Sequence, residues 1–156
     1  MEHAHSYALR LAWTGARQGP TLNYEAYSRE YRVEIDGKPA ITGSSDPAFR
    51  GDSALINPED MLLAALSSCH MLSYLALCAR MRIAVIAYAD QASGIMSETA
   101  PHRMGFTEVT LRPRVTVATG TDLAKANALH EKAHEICFIA NSVNFPVRHE
   151  AEIVAG

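Results

Sequence analysis

Apolar and polar residues alternate along His5–Trp13, with Tyr7, Leu9, Leu11 and Trp13 on one side, which is the period of a β-strand. The same period returns over Tyr27–Asp36. Tyr27, Tyr31, Val33 and Ile35 share one face there, and Ser28, Glu30, Arg32, Glu34 and Asp36 share the other. Asp36-Gly37 predicts a tight turn into a short strand near Ala40–Thr42. Gly43–Ile56 carries neither period and reads as a loop. A helix start follows: Asn57 suits the N-cap, Pro58 the first helical position, and Glu59 and Asp60 the positive end of the helix dipole. This helix should run to about Met81. Ile83–Ala89 and Thr107–Thr119 read as strands, and Thr121-Asp122 opens a second helix that ends near Phe138. Val147–Val154 alternates as a last strand, with His149, Ala151 and Ile153 opposite Arg148, Glu150 and Glu152. Grouped strands and grouped helices predict an α+β fold, with helices packed on an antiparallel sheet.

Length and composition narrow the class. At 156 residues the chain fits a single domain, 1–156, and its 48% apolar and 20% charged content is that of an ordinary globular protein. A formal net charge of −3 with no basic run argues against nucleic acid as a partner. Met61–Ala79 carries no formal charge and is long enough to span a membrane, but Ser67, Ser68, His70 and Ser73 interrupt it. It reads as a buried helix of a soluble core, with no membrane partner. The start Met1-Glu2-His3-Ala4-His5 has no pattern of a signal peptide. Three cysteines, at 69, 78 and 137, form no short-range framework. They read as thiols in a reducing compartment, so a cytoplasmic location is expected.

The candidate chemistry starts with these thiols. Cys69 lies mid-helix, where a thiol either fills the core or reacts. Cys78, nine residues on, points to the opposite helix face and reads as core. Cys137 falls at the edge of the buried face of the second helix, about 60° from the centre set by Leu129, Ala133, Ile136 and Ala140. Strand alternation puts Arg29 on the apolar face, where a guanidinium needs a carboxylate partner and could lower a nearby thiol's pKa. Glu59 is one candidate partner. It precedes Cys69 by ten residues, about 15 Å along a helix, so both could serve one site only if Glu59 came from another subunit. Arg17, in the Gly-flanked Gly15–Gly19 loop, is the rival arginine. His130-Glu131-Lys132-Ala133-His134 has the form of a zinc-hydrolase motif, with His130 and His134 as ligands and Glu131 as base. Lys132 inside the motif, and no GxxH extension after it, weigh against that alternative.

Asn57-Pro58-Glu59 opening a long helix, Ser68-Cys69 within it, and a second helix ending Cys137-Phe138-Ile139-Ala140-Asn141-Ser142 together closely resemble the OsmC/Ohr family of thiol peroxidases. Tyr27-Ser28-Arg29-Glu30 resembles the arginine-bearing segment of its OsmC-like branch. The resemblance covers roughly Tyr24–Val154. It implies an intertwined α+β homodimer with active sites at the subunit interface and no metal, haem or flavin cofactor. By position, Cys69 resembles the peroxidatic cysteine, Cys137 the resolving one, Arg29 the thiolate-stabilising arginine and Glu59 its carboxylate partner. The implied activity is reduction of organic hydroperoxides, and of hydrogen peroxide in second place. It proceeds through a Cys69 sulfenic acid and a Cys69–Cys137 disulfide that an external dithiol, in the family often a lipoyl group, reduces. Leu62, Leu66 and Leu72 around Cys69 would suit a greasy peroxide. A binding or sensing protein on the same scaffold, without turnover, is the remaining alternative.

Overall fold

The structure, a computed structural model, describes residues 4–156. Met1–His3 lie outside the described residues, and with them most of the segment that lacked a signal-peptide pattern. The chain divides into two compact units, residues 1–61 and 62–156.

In the first unit, β1 (Arg10–Trp13), β2 (Tyr31–Glu34) and β3 (Ile41–Gly43) form an antiparallel sheet in that order. The Asp36-Gly37 turn closes as the sequence predicts, with Lys38 N–H donating to the Ile35 carbonyl at 3.0 Å and Gly37 at φ +75°. β2 is shorter than the alternating run, because Tyr27–Glu30 stays outside the sheet. β1 takes up only the end of the alternating run His5–Trp13, and the apolar side of that run is exposed: Tyr7, ahead of the strand, is 92% and Leu11, within it, 65% accessible. The unit ends on the first turn of α1 (Pro58–Arg80), closed by a reciprocal cap. Asp60 N–H donates to Asn57 Oδ1 at 2.8 Å, and Asn57 N–H donates to Asp60 Oδ2 at 3.2 Å.

The second unit holds the rest of α1, followed by β4 (Val85–Asp90), β5 (Ser93–Ala100), β6 (Arg103–Leu111), β7 (Pro113–Val117), α2 (Leu123–Ile136), β8 (Val147–His149) and β9 (Glu152–Ala155). The α+β class stands, but the sheets are mixed, not antiparallel throughout. In the orders β4-β7-β9 and β5-β6-β8, β9 pairs parallel to β7 and β8 parallel to β6. Two runs expected as single strands are each cut in two. Pro113 opens β7, where its missing N–H costs least, and Arg112 N–H turns aside to Asp90 Oδ1 at 2.6 Å. The last strand breaks beside it, with Arg112 Nε 3.1 Å from Glu150 Oε2. Both runs, β6–β7 and β8–β9, thus cross between the two sheets at one place. β5 carries no sequence signal because nearly all of it is exposed.

α2 starts on Asp122, whose side chain accepts from Lys125 N–H at 3.0 Å. Its buried residues are Ala126, His130 and Ala133, with Cys137 capping the end. α1 buries one stripe at four-residue spacing: Leu66, His70, Tyr74 and Cys78. Only 22% of its most apolar window is buried, so the chain covers one side of this helix and leaves Leu72 exposed. α1 is long and apolar enough to cross a membrane by length and composition, and it is not the buried core helix the sequence predicts. Leu66 joins Val109 and Leu111 in a dry cluster. Leu66→Ala should therefore cost about 2–5 kcal/mol in a urea unfolding titration, and a loss under about 1 kcal/mol would mean that this cluster collapses around the gap.

Candidate active site

Cys69 and Cys137 meet in the second unit. Cys69 is half-buried in mid-α1 and Cys137 is fully buried where α2 ends, and all three thiols are free. The chain is drawn tight after α2: Cys137 N–H donates to the His134 carbonyl at 3.2 Å, and Asn141 N–H to the Cys137 carbonyl at 3.0 Å. Burial pushes the Cys137 thiol up to about 11, helped by its hydrogen bond to Cys69 and opposed by the backbone N–H groups of Ala140 and Ile139. Cys137 therefore keeps its proton near neutrality and donates it toward Cys69. A reagent from solution reaches Cys69 first. Phe138, 79% exposed, stands next to Cys137, and Leu72 lies one helical turn from Cys69. Leu66 is fully buried and cannot line a substrate path, which corrects one of the three leucines expected there. Phe138 is the apolar neighbour that sequence reasoning passed over.

Cys78 is core, as expected, and burial raises its thiol. In a timed alkylation of the reduced, folded protein, Cys69 should react first and Cys78 should lag by about an order of magnitude or more. Equal rates would contradict this burial.

The two arginines lie in the first unit. Arg29 sits off the strand, so the pleat does not set its direction. Its guanidinium carbon lies 3.7 Å from the Tyr27 ring centroid and 4.8 Å from that of Tyr24. Its N–H groups donate to the carbonyls of Tyr27, at 2.5 Å, and of Tyr24. Among the described residues no carboxylate pairs with it, so aromatic faces and carbonyls take the place of the expected carboxylate within the chain. Arg17 is taken by Glu30, whose carboxylate also accepts from the Thr14 hydroxyl at 2.8 Å. Glu59, half-buried in the first turn of α1, faces Tyr31: together with Asp60 it adds to the burial that raises that phenol, whose buried hydroxyl has no partner among the described residues.

The zinc-type motif takes a different form in the structure. His130 is buried, with Nδ1 3.0 Å from His70 Nε2 and its ring stacked on Tyr74. Glu131 turns outward to His149, 3.2 Å away. Among the described residues, no group of three or more His, Cys, Asp and Glu side chains is arranged to hold a metal ion.

Fold and site together define a class: an α+β chain with two principal helices over mixed sheets, presenting two facing thiols, one reachable and one shielded. The chain belongs to the OsmC-like protein family, whose model matches residues 51–152. That span includes Glu59, Cys69 and Cys137 but not Arg29. Among solved structures, an OsmC-like protein of unknown function from Vibrio cholerae is 34% identical, with a TM-score of 0.87 over 96% of this chain and 100% of that one. An organic hydroperoxide resistance protein from Elizabethkingia anophelis superposes at TM-score 0.71 and 18% identity over 100% of both chains. An organic hydroperoxide resistance protein OsmC from Legionella pneumophila gives 0.67 and 19% over 96% of this chain and 98% of that one. The last two share the fold. No functionally curated protein matches the chain.

Proposed function

We propose that the protein is a thiol-dependent peroxidase that reduces organic hydroperoxides. The observation that carries this reading is the contact between a reachable Cys69 and a shielded Cys137 that keeps its proton. The Cys69 thiolate attacks the terminal oxygen of the hydroperoxide. An S–O bond forms, the O–O bond breaks, and the leaving alkoxide takes a proton to become an alcohol. Cys137 then attacks the Cys69 sulfenic acid, and its thiol proton leaves with the hydroxyl as water. An external dithiol reduces the resulting disulfide by exchange, and a lipoyl group is the first candidate. The resemblance assigns Arg29 to stabilising the Cys69 thiolate and Glu59 to orienting that arginine.

A second copy of the chain completes the molecule in this reading. The exposed Tyr7, Leu9, Leu11 and Trp13 face and the uncovered side of α1 both support it. The reducing cytoplasm suits the three thiols. Steady-state turnover with dihydrolipoamide is the test: cumene hydroperoxide should be consumed at least about tenfold more efficiently than hydrogen peroxide, since the flanking Phe138 and Leu72 are apolar. Absence of turnover with either peroxide sinks the reading.

A further inference from the structure

The two helices that carry Cys69 and Cys137 share a buried polar contact for which the peroxide chemistry has no use. His70 follows Cys69 on α1, and His130 precedes Cys137 by seven residues, two turns, on the same face of α2. Both imidazoles are buried, and His70 Nε2 lies 3.0 Å from His130 Nδ1. Tyr74, one turn beyond His70, stacks on the His130 ring at 3.9 Å and donates its hydroxyl to the Ala126 carbonyl at 3.1 Å. The groups facing this pair are Tyr74 from α1, Asp90 from β4, His134 from α2 and His149 from β8.

The bond has a favoured direction. Among the described residues, none partners the buried His130 Nε2. A lone pair left unpaired there costs less than an N–H, so Nε2 carries no proton and His130 Nδ1–H donates to His70 Nε2. Apolar packing between helices is not directional, whereas a hydrogen bond weakens steeply off its axis. A rotation of one helix by about 20° moves a side-chain atom about 5 Å from the axis by nearly 2 Å. A disulfide tolerates little more than that.

We propose that His70 and His130 are positioning residues, whose hydrogen bond sets the rotation of α1 against α2 and thereby holds Cys69 within disulfide reach of Cys137. The inference rests on the cysteine pairing of the proposed function but not on the peroxide. Its test is accordingly peroxide-free. The wild type, a His70→Leu/His130→Leu variant and a His70→Gln/His130→Asn variant are equilibrated in glutathione redox buffers. One oxidised glutathione and the two thiols give the 69–137 disulfide and two reduced glutathiones. Peptide mapping reads the disulfide, and circular dichroism reads the fold.

The leucine variant should form the disulfide at least tenfold less favourably. The amide variant, which restores an acceptor at 70 and a donor at 130, should return to within about threefold of wild type. A folded leucine variant that matches wild type overturns the proposal. Should the leucine pair not fold, His70→Asn takes its place, since its amide is too short to reach His130, and wild-type behaviour there overturns the proposal equally. A wild type that closes the bond in glutathione but ignores peroxides would sink the peroxidase reading and leave this inference standing.

Discussion

Replacing Cys69 with serine should remove hydroperoxide reduction by about three orders of magnitude or more, because in the proposed reaction the Cys69 thiolate is the nucleophile that attacks the peroxide. Cys137→Ser should behave differently. One equivalent of peroxide would still be consumed, and the Cys69 sulfenic acid would persist long enough to be trapped by a carbon nucleophile such as dimedone. The asymmetry follows from the geometry: Cys69 is half-exposed, while Cys137 is buried with its thiol raised to about 11. If the two serine variants lost the first turnover equally, the division of roles between the thiols would fail. Arg29→Ala separates the assignment further. Should Arg29 stabilise the thiolate, the variant would keep its fold and react more slowly with the peroxide at neutral pH.

The second large effect is on stability in acid. Burial is the main cause that lowers His70 to about 4 and His130 to about 3, and the neighbouring imidazoles add to it. An unfolded imidazole titrates near 6.5. Between these values the unfolded chain binds more protons than the folded one, so stability rises with pH through the window and is complete above about 6.5. As pH falls from about 6.5 toward 4, each histidine withdraws stability. At pH 5 the two together should cost up to about 4 kcal/mol. Urea titrations at pH 7 and pH 5 measure the difference, and the His70→Leu/His130→Leu variant should lose most of it. An equal pH response in that variant would place the acid sensitivity elsewhere.

These same histidines show where the sequence was legible and where it was not. The caps at Asn57 and Asp122 and the turn at Asp36-Gly37 are local, and each closes as expected. The long helix ends within a residue of its predicted limit. The buried stripe of α2 was misplaced by part of a turn. Periodicity counts His130 as polar and Ile136 as core, yet the chain buries His130 and exposes Ile136. His70 offers the partner that makes this affordable, and it lies 60 residues away. The broken strands fail for a related reason: a crossing between two sheets leaves the alternation intact on both sides and shows only at Pro113 and at Glu150–Ala151. The alternation that places Arg29 belongs to a pleat that begins only two residues after it, at Tyr31. The facing thiols come from two helices, and no spacing along the chain predicts that they meet.

The most direct measurement of the central claim is intact-mass and peptide mapping of the reduced protein after one equivalent of cumene hydroperoxide, with Cys69→Ser alongside. The account predicts a rapid loss of two hydrogen atoms, a single disulfide between Cys69 and Cys137, a reduced Cys78, and no disulfide in the variant. Three thiols still reduced after the peroxide is added, or a disulfide that includes Cys78, would contradict it.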